Sequence, residues 1–152
     1  MRIAIGSDHA GFALKTELAS WLEKHEVAFL DVGAHNHDAE DDFPDFAAAV
    51  GQAVVTGEAD LGVMICGTGV GSAIALNKLE GIRAVVCSDT FSARMSRRHN
   101  DANALCLGER VVGAGLACDV LRAWLEEGYS EEARHQRRLD KVTALERGGR
   151  KA

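Results

Sequence analysis

The chain has 152 residues, of which 47% are apolar and 26% are charged, and its formal net charge is −6. This length fits one compact domain, the apolar content is too high for a disordered chain, and no apolar run approaches the roughly 20 residues of a membrane helix. The charge is uneven, since residues 134–152 carry +5 and residues 1–133 carry −11. An acidic body disfavours nucleic acid as a partner, but it permits a small anion held by local arginines.

Short apolar segments rich in β-branched residues alternate with amphipathic segments. They predict five strand–helix pairs, at 2–6 and 12–24, 27–32 and 46–55, 61–66 and 70–79, 83–87 and 91–98, and 104–107 and 114–126. A last charged helix is predicted over 131–146, followed by a frayed basic tail over 147–152. Because the strand segments are apolar throughout, they fit strands buried on both faces. We predict an α/β fold, a three-layer α/β/α sandwich with a Rossmann-like five-stranded parallel sheet, as a single domain over 1–152.

A glycine-rich segment, residues 66–72 with the sequence Cys-Gly-Thr-Gly-Val-Gly-Ser, follows the third predicted strand. Ligands of open parallel sheets bind at the carboxyl ends of the strands, and closely spaced glycines let backbone N–H groups converge on an anion there. Cys66 faces the first turn of the next helix, whose positive end favours a thiolate. We therefore predict Cys66 as a base or nucleophile, and the remaining cysteines (Cys87, Cys106 and Cys118) as inert, reduced thiols of a cytoplasmic protein.

Further candidates for acid–base chemistry and anion binding lie at the ends of other elements. Asp8 and His9 follow the first strand, and His99 closes a predicted helix. Arg134 and Arg138 lie one helical turn apart, which would present two guanidinium groups to a phosphate dianion. Each also has an ordinary structural interpretation: a helix cap for Asp8, a cation at a helix end for His99, and a solvated helix face for the arginines. Together they would supply a base, an acid–base histidine, an anion hole and a phosphate clamp.

One other interpretation of these segments stays open, and three are disfavoured. The glycines at 67, 69 and 71 do not match the dinucleotide pattern GxGxxG, but Asp89 lies at the distance expected of a ribose-binding acid, so a nucleotide-binding sensor remains an alternative. No Gly-Lys-Ser/Thr sequence supports a Walker A loop, and a phosphoacceptor receiver domain would need an acid in place of Cys66. The loop over 35–42 carries histidines and carboxylates, yet its spacing matches no defined metal site, and we predict no metal.

Six sequence blocks in order along the chain carry a resemblance to a known family. They are Gly6-Ser7-Asp8-His9-Ala10-Gly11-Phe12, Cys66-Gly67-Thr68-Gly69-Val70-Gly71, Gly81-Ile82-Arg83-Ala84, Ser96-Arg97-Arg98-His99-Asn100-Asp101, Arg110-Val111-Val112-Gly113 and Arg134-His135-Gln136. With these blocks the chain resembles the ribose-5-phosphate isomerase B family, which also includes allose-6-phosphate and galactose-6-phosphate isomerases. The blocks span nearly the whole chain, so the combination is far more specific than any one motif.

The resemblance implies an aldose–ketose isomerase without metal or cofactor that interconverts ribose 5-phosphate and ribulose 5-phosphate through an enediolate. It implies that Cys66 moves the proton between C1 and C2, and that Thr68 and the loop amides at Gly67, Gly69 and Gly71 hold the enediolate oxygen. His99, with Asp8, would open the sugar ring.

The resemblance also implies where the phosphate binds and how the chains assemble. His9, Arg134 and Arg138 would hold the phosphate. In a homodimer or dimer of dimers with shared active sites, His99, Asn100 and Arg110 would reach the site from the neighbouring subunit, with Arg110 also near the phosphate. The partner is then a small sugar phosphate, with neither nucleic acid nor a membrane.

Two positions distinguish this chain within the family pattern. Some relatives carry a catalytic glutamate where Val70 stands here, so the chain is of the cysteine type. Relatives usually have tyrosine where Phe43 stands, so the hydroxyl of that tyrosine is missing. The acidic loop over 35–42 is expected to influence which sugar fits, and allose 6-phosphate, galactose 6-phosphate and a four-carbon sugar phosphate remain alternative substrates.

Overall fold

The computed structural model describes residues 1–148 as a five-stranded parallel sheet between helices. The strands are β1 (Arg2–Ser7), β2 (Ala28–Asp31), β3 (Leu61–Cys66), β4 (Ala84–Val86) and β5 (Ala104–Gly108). The α-helices of this part of the chain are α1 (Phe12–Lys24), α2 (Phe43–Val55), α3 (Val70–Leu76), α4 (Thr90–Asn100), α5 (Ala114–Leu125) and α6 (Ala133–Gly148), and a short 3-10 helix spans His9–Gly11. No helix between residues 1 and 148 is long and apolar enough to cross a bilayer.

The sheet has the strand order β2-β1-β3-β5-β4, with every neighbouring pair parallel. Alternate residues of the strands point to opposite faces, as the pleat requires. Ile65 and Leu107 belong to a core on one face, packed with Trp124 of α5, whereas Met64 and Cys106 belong to a second core on the other face. Helices cover both faces, which confirms the predicted three-layer α/β/α sandwich.

Several predicted helix boundaries differ from the structure, and three of these differences have a local reason. The helix α3 ends at Leu76 instead of residue 79, because the Asn77 side chain bonds both backbone groups of Ala84 at the start of β4. The helix α2 begins three residues earlier than predicted, since Pro44 is tolerated in a first helical turn. The helix α6 begins at Ala133 instead of 131, because Glu131 has a left-handed φ of 55°.

The predicted frayed tail over 147–152 is wrong at its first two residues, which belong to α6. The helix continues to Gly148, two residues beyond the predicted end. The rest of the predicted tail, residues 149–152, lies outside the described residues.

The parallel connections divide the polar residues between two edges of the sheet. Each strand ends at the carboxyl edge, and the helix that follows runs back to the amino edge, where the next strand begins. The end of α4 illustrates this, because Arg83, which precedes β4, donates its Nε–H to the backbone oxygens of Asn100 and Asp101. Residues that follow strands therefore lie at one edge, and residues that end helices lie at the opposite edge.

Candidate active site

An open cavity of about 280 Å³ lies at the carboxyl edge of the sheet. Its walls come from the segments that follow β1, β3 and β5 and from the start of α2, which the strand order brings side by side. The lining residues are Asp8, His9, Ala10, Phe43, Cys66, Gly67, Thr68, Gly71 and Arg110. The structure thus brings together seven of the residues that the sequence singled out for chemistry or binding.

Cys66 ends β3 and is buried, and its Sγ accepts the backbone N–H of Gly69 at 3.1 Å. Gly69 has a φ of 78°, and a Cβ there would lie 3.1 Å from the carbonyl carbon of Leu107, so a glycine is needed for this turn. A hydrogen bond donated to sulfur stabilises the thiolate. Cys87 and Cys106 differ, since burial raises the pKa of both thiols, that of Cys87 to about 11.

The lining of the cavity also includes a hydroxyl and an aromatic ring. Thr68 is exposed, and its Oγ1 accepts the N–H of Val70 at 3.3 Å. The ring of Phe43 lies against Gly71, where a Cβ would be only 2.9 Å from its Cζ. Phe43 therefore makes this part of the lining apolar, whereas the family pattern has the phenol of a tyrosine at this position. Gly71 has no side chain, which leaves room for the Phe43 ring.

A carboxylate–imidazole–carboxylate group forms the polar end of the cavity. Asp8 is buried, and burial raises the pKa of its carboxyl, with the charge of Asp41 adding to the effect and that of His9 opposing it. The Nδ1 of His9 lies 2.6 Å from Oδ1 of Asp41, and this hydrogen bond is the main cause of a raised pKa for His9. The sequence analysis missed Asp41, because no local signal distinguishes it from Glu40 or the other carboxylates of its loop.

The same three side chains lie close together. Among residues 1–148, a carboxylate oxygen of Asp8, a ring nitrogen of His9 and a carboxylate oxygen of Asp41 lie within 4.8 Å of one another. The distance of 2.6 Å between Nδ1 and Oδ1 is a hydrogen-bond distance, so His9 and Asp41 already bind each other. Of the loop over 35–42, only Asp41 joins this group.

A second group of predicted residues lies around the end of α4 and the start of α6. The rings of His99 and His135 are 4.4 Å apart, and Nδ1 of His135 lies 2.7 Å from Oγ of Ser130. Burial lowers the pKa of His135, and the charges of His99, Arg134 and Arg138 lower it further. Arg134 and Arg138 lie one turn apart on α6, as predicted, and Nε of Arg134 pairs with Glu132 at 2.8 Å.

The two groups lie at opposite edges of the sheet. Of the described residues, none that lines the cavity belongs to α4 or α6. His99 and Asn100 end α4 at the amino edge, whereas Cys66 ends β3 at the carboxyl edge, and a five-residue strand such as β5 spans roughly 16 Å. Arg110 differs from the expectation that it comes from a neighbouring subunit, since it lines the cavity of its own chain and lies close to Gly67.

Comparisons with known proteins agree with the resemblance carried by the sequence blocks. A sequence profile described as Ribose/Galactose Isomerase matches residues 3–142. The chain belongs to the ribose/galactose isomerase family. It is 49% identical to ribose-5-phosphate isomerase B of Escherichia coli (strain K12), with 95% of this chain and 96% of the relative covered.

Two further relatives describe the range of this ribose/galactose isomerase family. The chain is 39% identical to D-erythrulose-4-phosphate isomerase 2 of Mycolicibacterium smegmatis (strain ATCC 700084 / mc(2)155), with 96% of this chain and 97% of the relative covered. The solved structure of ribose-5-phosphate isomerase B of Clostridium thermocellum superposes with a TM-score of 0.94 at 49% identity, covering 97% of this chain and 99% of that one. Together they confirm the predicted α/β fold and the isomerase resemblance.

Lys15, in a second cavity, and Asp89 already have hydrogen-bond partners within the fold. The cavity, of about 230 Å³ beside α1 and β2, contains Lys15, whose ammonium already donates to Asp31 and to the backbone oxygen of Ala34. Asp89 caps α4, because its Oδ1 accepts the N–H of Ser92 at 2.7 Å. Its carboxylate is thus engaged within the fold, which removes the residue that favoured a nucleotide-binding sensor.

We expect iodoacetamide at pH 8 to alkylate Cys66 faster than Cys87 and Cys106. The Cys66 sulfur lies on the cavity wall and accepts an N–H, whereas the raised pKa values of the other two keep their buried thiols protonated at this pH. Peptide mass spectrometry of a time course measures the three rates separately. Equal rates for Cys66 and Cys87 would contradict the assignment of Cys66 as the reactive thiol.

Proposed function

We propose that the chain is an aldose–ketose isomerase that interconverts ribose 5-phosphate and ribulose 5-phosphate. The observation that carries the proposal is the placement of Cys66, whose sulfur accepts a backbone N–H within a cavity that also holds a hydroxyl and an imidazole–carboxylate pair. This arrangement suits removal of a proton next to a carbonyl group, the reaction that the relatives' names also indicate.

The thiolate of Cys66 acts as the base. It takes the proton from C2 of the open-chain aldose, and the electron pair moves to the C1 carbonyl oxygen as an enediolate forms. The hydroxyl proton of the C2 oxygen passes to the C1 oxygen, and the proton held by the sulfur returns at C1, which leaves the carbonyl group at C2. A carbon acid next to a carbonyl is too weak for a thiolate unless the developing oxyanion is stabilised, and one well-placed donor contributes ~3 to 4 kcal/mol. The exposed hydroxyl of Thr68 and the amides of Gly67 and Gly71 are the donors that we assign to this oxygen, whereas the amide of Gly69 donates to the Cys66 sulfur.

Ring opening and phosphate binding use the remaining predicted residues. Pentose phosphates exist mainly as closed rings, so an acid–base group with a pKa near neutrality must act first, and we assign His99 to this step with Asp8. Cationic side chains hold the phosphate, namely His9 and Arg110 beside Cys66 and Arg134 and Arg138 on α6, with Asn100 beside them. Binding this remote group keeps the reacting carbons next to the sulfur.

Because the two groups of residues lie at opposite edges of one chain, we propose that two copies share each active site. A two-fold dimer repeats the same contact in both directions, so the carboxyl edge of one chain can meet the amino edge of its partner twice. Each site then combines Cys66 of one protomer with His99, Asn100, Arg134 and Arg138 of the other. A dimer of such dimers uses the same contact.

Exposed apolar side chains near the carboxyl edge of the sheet support this dimer. Val70 and Ile74 lie exposed on α3, the helix that follows β3, and Phe91 lies exposed in the first turn of α4, which follows β4. Val86 lies exposed on β4, at the edge of the sheet. Apolar residues concentrated next to incomplete polar sites are typical of surfaces that a partner covers.

We expect kcat/KM for ribose 5-phosphate to exceed the values for erythrose 4-phosphate, allose 6-phosphate and galactose 6-phosphate by about 10- to 100-fold. One CH–OH unit more or less shifts the reacting carbons relative to Cys66 while the phosphate stays bound, which costs transition-state stabilisation of this order. Steady-state rates with the four sugar phosphates measure the preference. Because a four-carbon isomerase is among the relatives, a higher kcat/KM for erythrose 4-phosphate would assign the chain to that substrate.

Replacing the proposed base should stop catalysis without stopping binding. We expect Cys66→Ala to lower kcat by about 10²- to 10⁴-fold, the range of a positioned acid–base group, while calorimetry shows ribose 5-phosphate still bound. Cys118→Ala is the matched control, because this half-buried thiol lies on α5 away from the cavity and should leave kcat unchanged. Unchanged turnover in Cys66→Ala would remove Cys66 from the mechanism.

Two inactive variants should restore activity when their chains are mixed, because a mixed dimer contains one intact site. We expect Cys66→Ala and His99→Ala, refolded together, to recover about a quarter of the wild-type rate, since half of the dimers are mixed and each has one good site of two. Native mass spectrometry confirms that mixed dimers form. Mixed dimers without activity would show that each site is built from one chain.

A further inference from the structure

Asp41 holds His9 at two points. Its Oδ1 accepts the ring nitrogen Nδ1 of His9 at 2.6 Å and the backbone N–H of the same residue at 3.0 Å. The Asp41 side chain is only 10% exposed, although residues 35–40 of its loop are exposed, and it lies 32 residues from His9 in the sequence. The loop therefore brings one carboxylate inward, against the cavity.

This double contact determines which atom of His9 can meet a ligand. A ring whose Nδ1–H donates to a carboxylate has only Nε2 left for another partner, and its orientation and tautomer are set by the first bond. The side chain of His9 is 29% exposed and lines the cavity that holds Cys66. Nε2 is thus the nitrogen available to a substrate in this cavity.

The charges around His9 favour the imidazolium form. The hydrogen bond to Asp41 is the largest cause of its raised pKa, the carboxylate of Asp8 adds to it, and the guanidinium of Arg110 opposes it. The ring of His37 lies edge-on at 5.9 Å and is the other titratable group on this side. Because the folded-state pKa lies above the ordinary value, His9 keeps its charge as the pH rises until it passes that raised pKa.

Packing alone does not account for a carboxylate at position 41. Its second oxygen, Oδ2, is buried and has no hydrogen-bond partner among residues 1–148. An unpaired buried carboxylate oxygen is costly, whereas an asparagine could accept the same two N–H groups through its neutral amide oxygen. The group on which this negative charge acts most directly is the imidazole of His9, which the carboxylate contacts.

We propose that Asp41 is a positioning residue of the isomerase, which holds the imidazole of His9 with Nε2 directed to the phosphate of the sugar. This inference rests on the function proposed above and adds a residue of the 35–42 loop to it. Asp41 itself does not touch the substrate. It acts through His9, so its removal should weaken substrate binding far more than it slows the proton transfer at Cys66.

Asp41→Asn tests the charge while keeping an oxygen for both N–H donors of His9. Glu40→Gln is the matched control, because it removes the same charge from the same loop at an exposed position. Carbon-13 NMR of histidine-labelled protein follows the titration of His9, with its signal assigned from a His9→Asn variant. The measurement is made on the free protein and with inorganic phosphate as the probe.

We expect the titration midpoint of His9 to fall in Asp41→Asn and to stay at its wild-type value in Glu40→Gln. In Asp41→Asn the affinity for inorganic phosphate should fall as well, and KM for ribose 5-phosphate should rise about tenfold with kcat nearly unchanged. Because His9 would lose its proton at lower pH in this variant, its kcat/KM should decline at lower pH than that of the wild type. An unchanged midpoint in Asp41→Asn overturns the inference, and so does a fall in kcat at constant KM.

Failure of the inference and failure of the proposed function give different results. The NMR midpoint is measured without turnover, so it tests the coupling of Asp41 to His9 in the protein as it exists. A wild-type chain that converts no sugar phosphate overturns the proposed function. Normal wild-type turnover with the same His9 midpoint in Asp41→Asn overturns only the role of Asp41.

Discussion

Parallel strand connections are the constraint on which the whole arrangement depends. Every strand ends at the same edge of the sheet, so the loops after β1, β3 and β5 meet there although they are far apart in sequence. Every connecting helix returns to the other edge, so residues at the ends of helices gather on the opposite side. One chain therefore builds two separate polar groups, one around Cys66 and one around His99, which the proposed dimer would combine in one site.

Close backbone approach makes the group around Cys66 chemically useful. The left-handed turn at Gly69 directs its N–H to the sulfur, and the missing side chain at Gly71 leaves space for the ring of Phe43. The donor lies within a fixed turn, so it needs little reorganisation when charge develops, which is the condition under which a hydrogen bond contributes most to catalysis. The other buried thiols, Cys87 and Cys106, have pKa values raised by burial, which keeps them protonated.

The cationic side chains are also divided between the two edges of the sheet. A net charge of −6 would repel a sugar phosphate at long range, and binding therefore depends on cations within reach of the ligand. Arg110 and His9 supply positive charge at one edge, and Arg134 and Arg138 supply it at the other. The hydrogen bond between His9 and Asp41 raises the pKa of that imidazole, and the carboxylate offsets the positive charge of its protonated form within the cavity.

The sequence by itself determined the features that depend on neighbouring residues. Apolar strand segments alternating with amphipathic ones predicted the order of elements, the glycines after Cys66 predicted its turn, and the spacing of Arg134 and Arg138 placed them on one helix face. Only the tertiary structure decided that Asp41 meets His9, that Arg110 shares the cavity of Cys66, and that His99 lies at the far edge. Periodicity and turn chemistry act over a few residues, whereas these contacts depend on the path of a loop and on the order of strands, which no local pattern encodes.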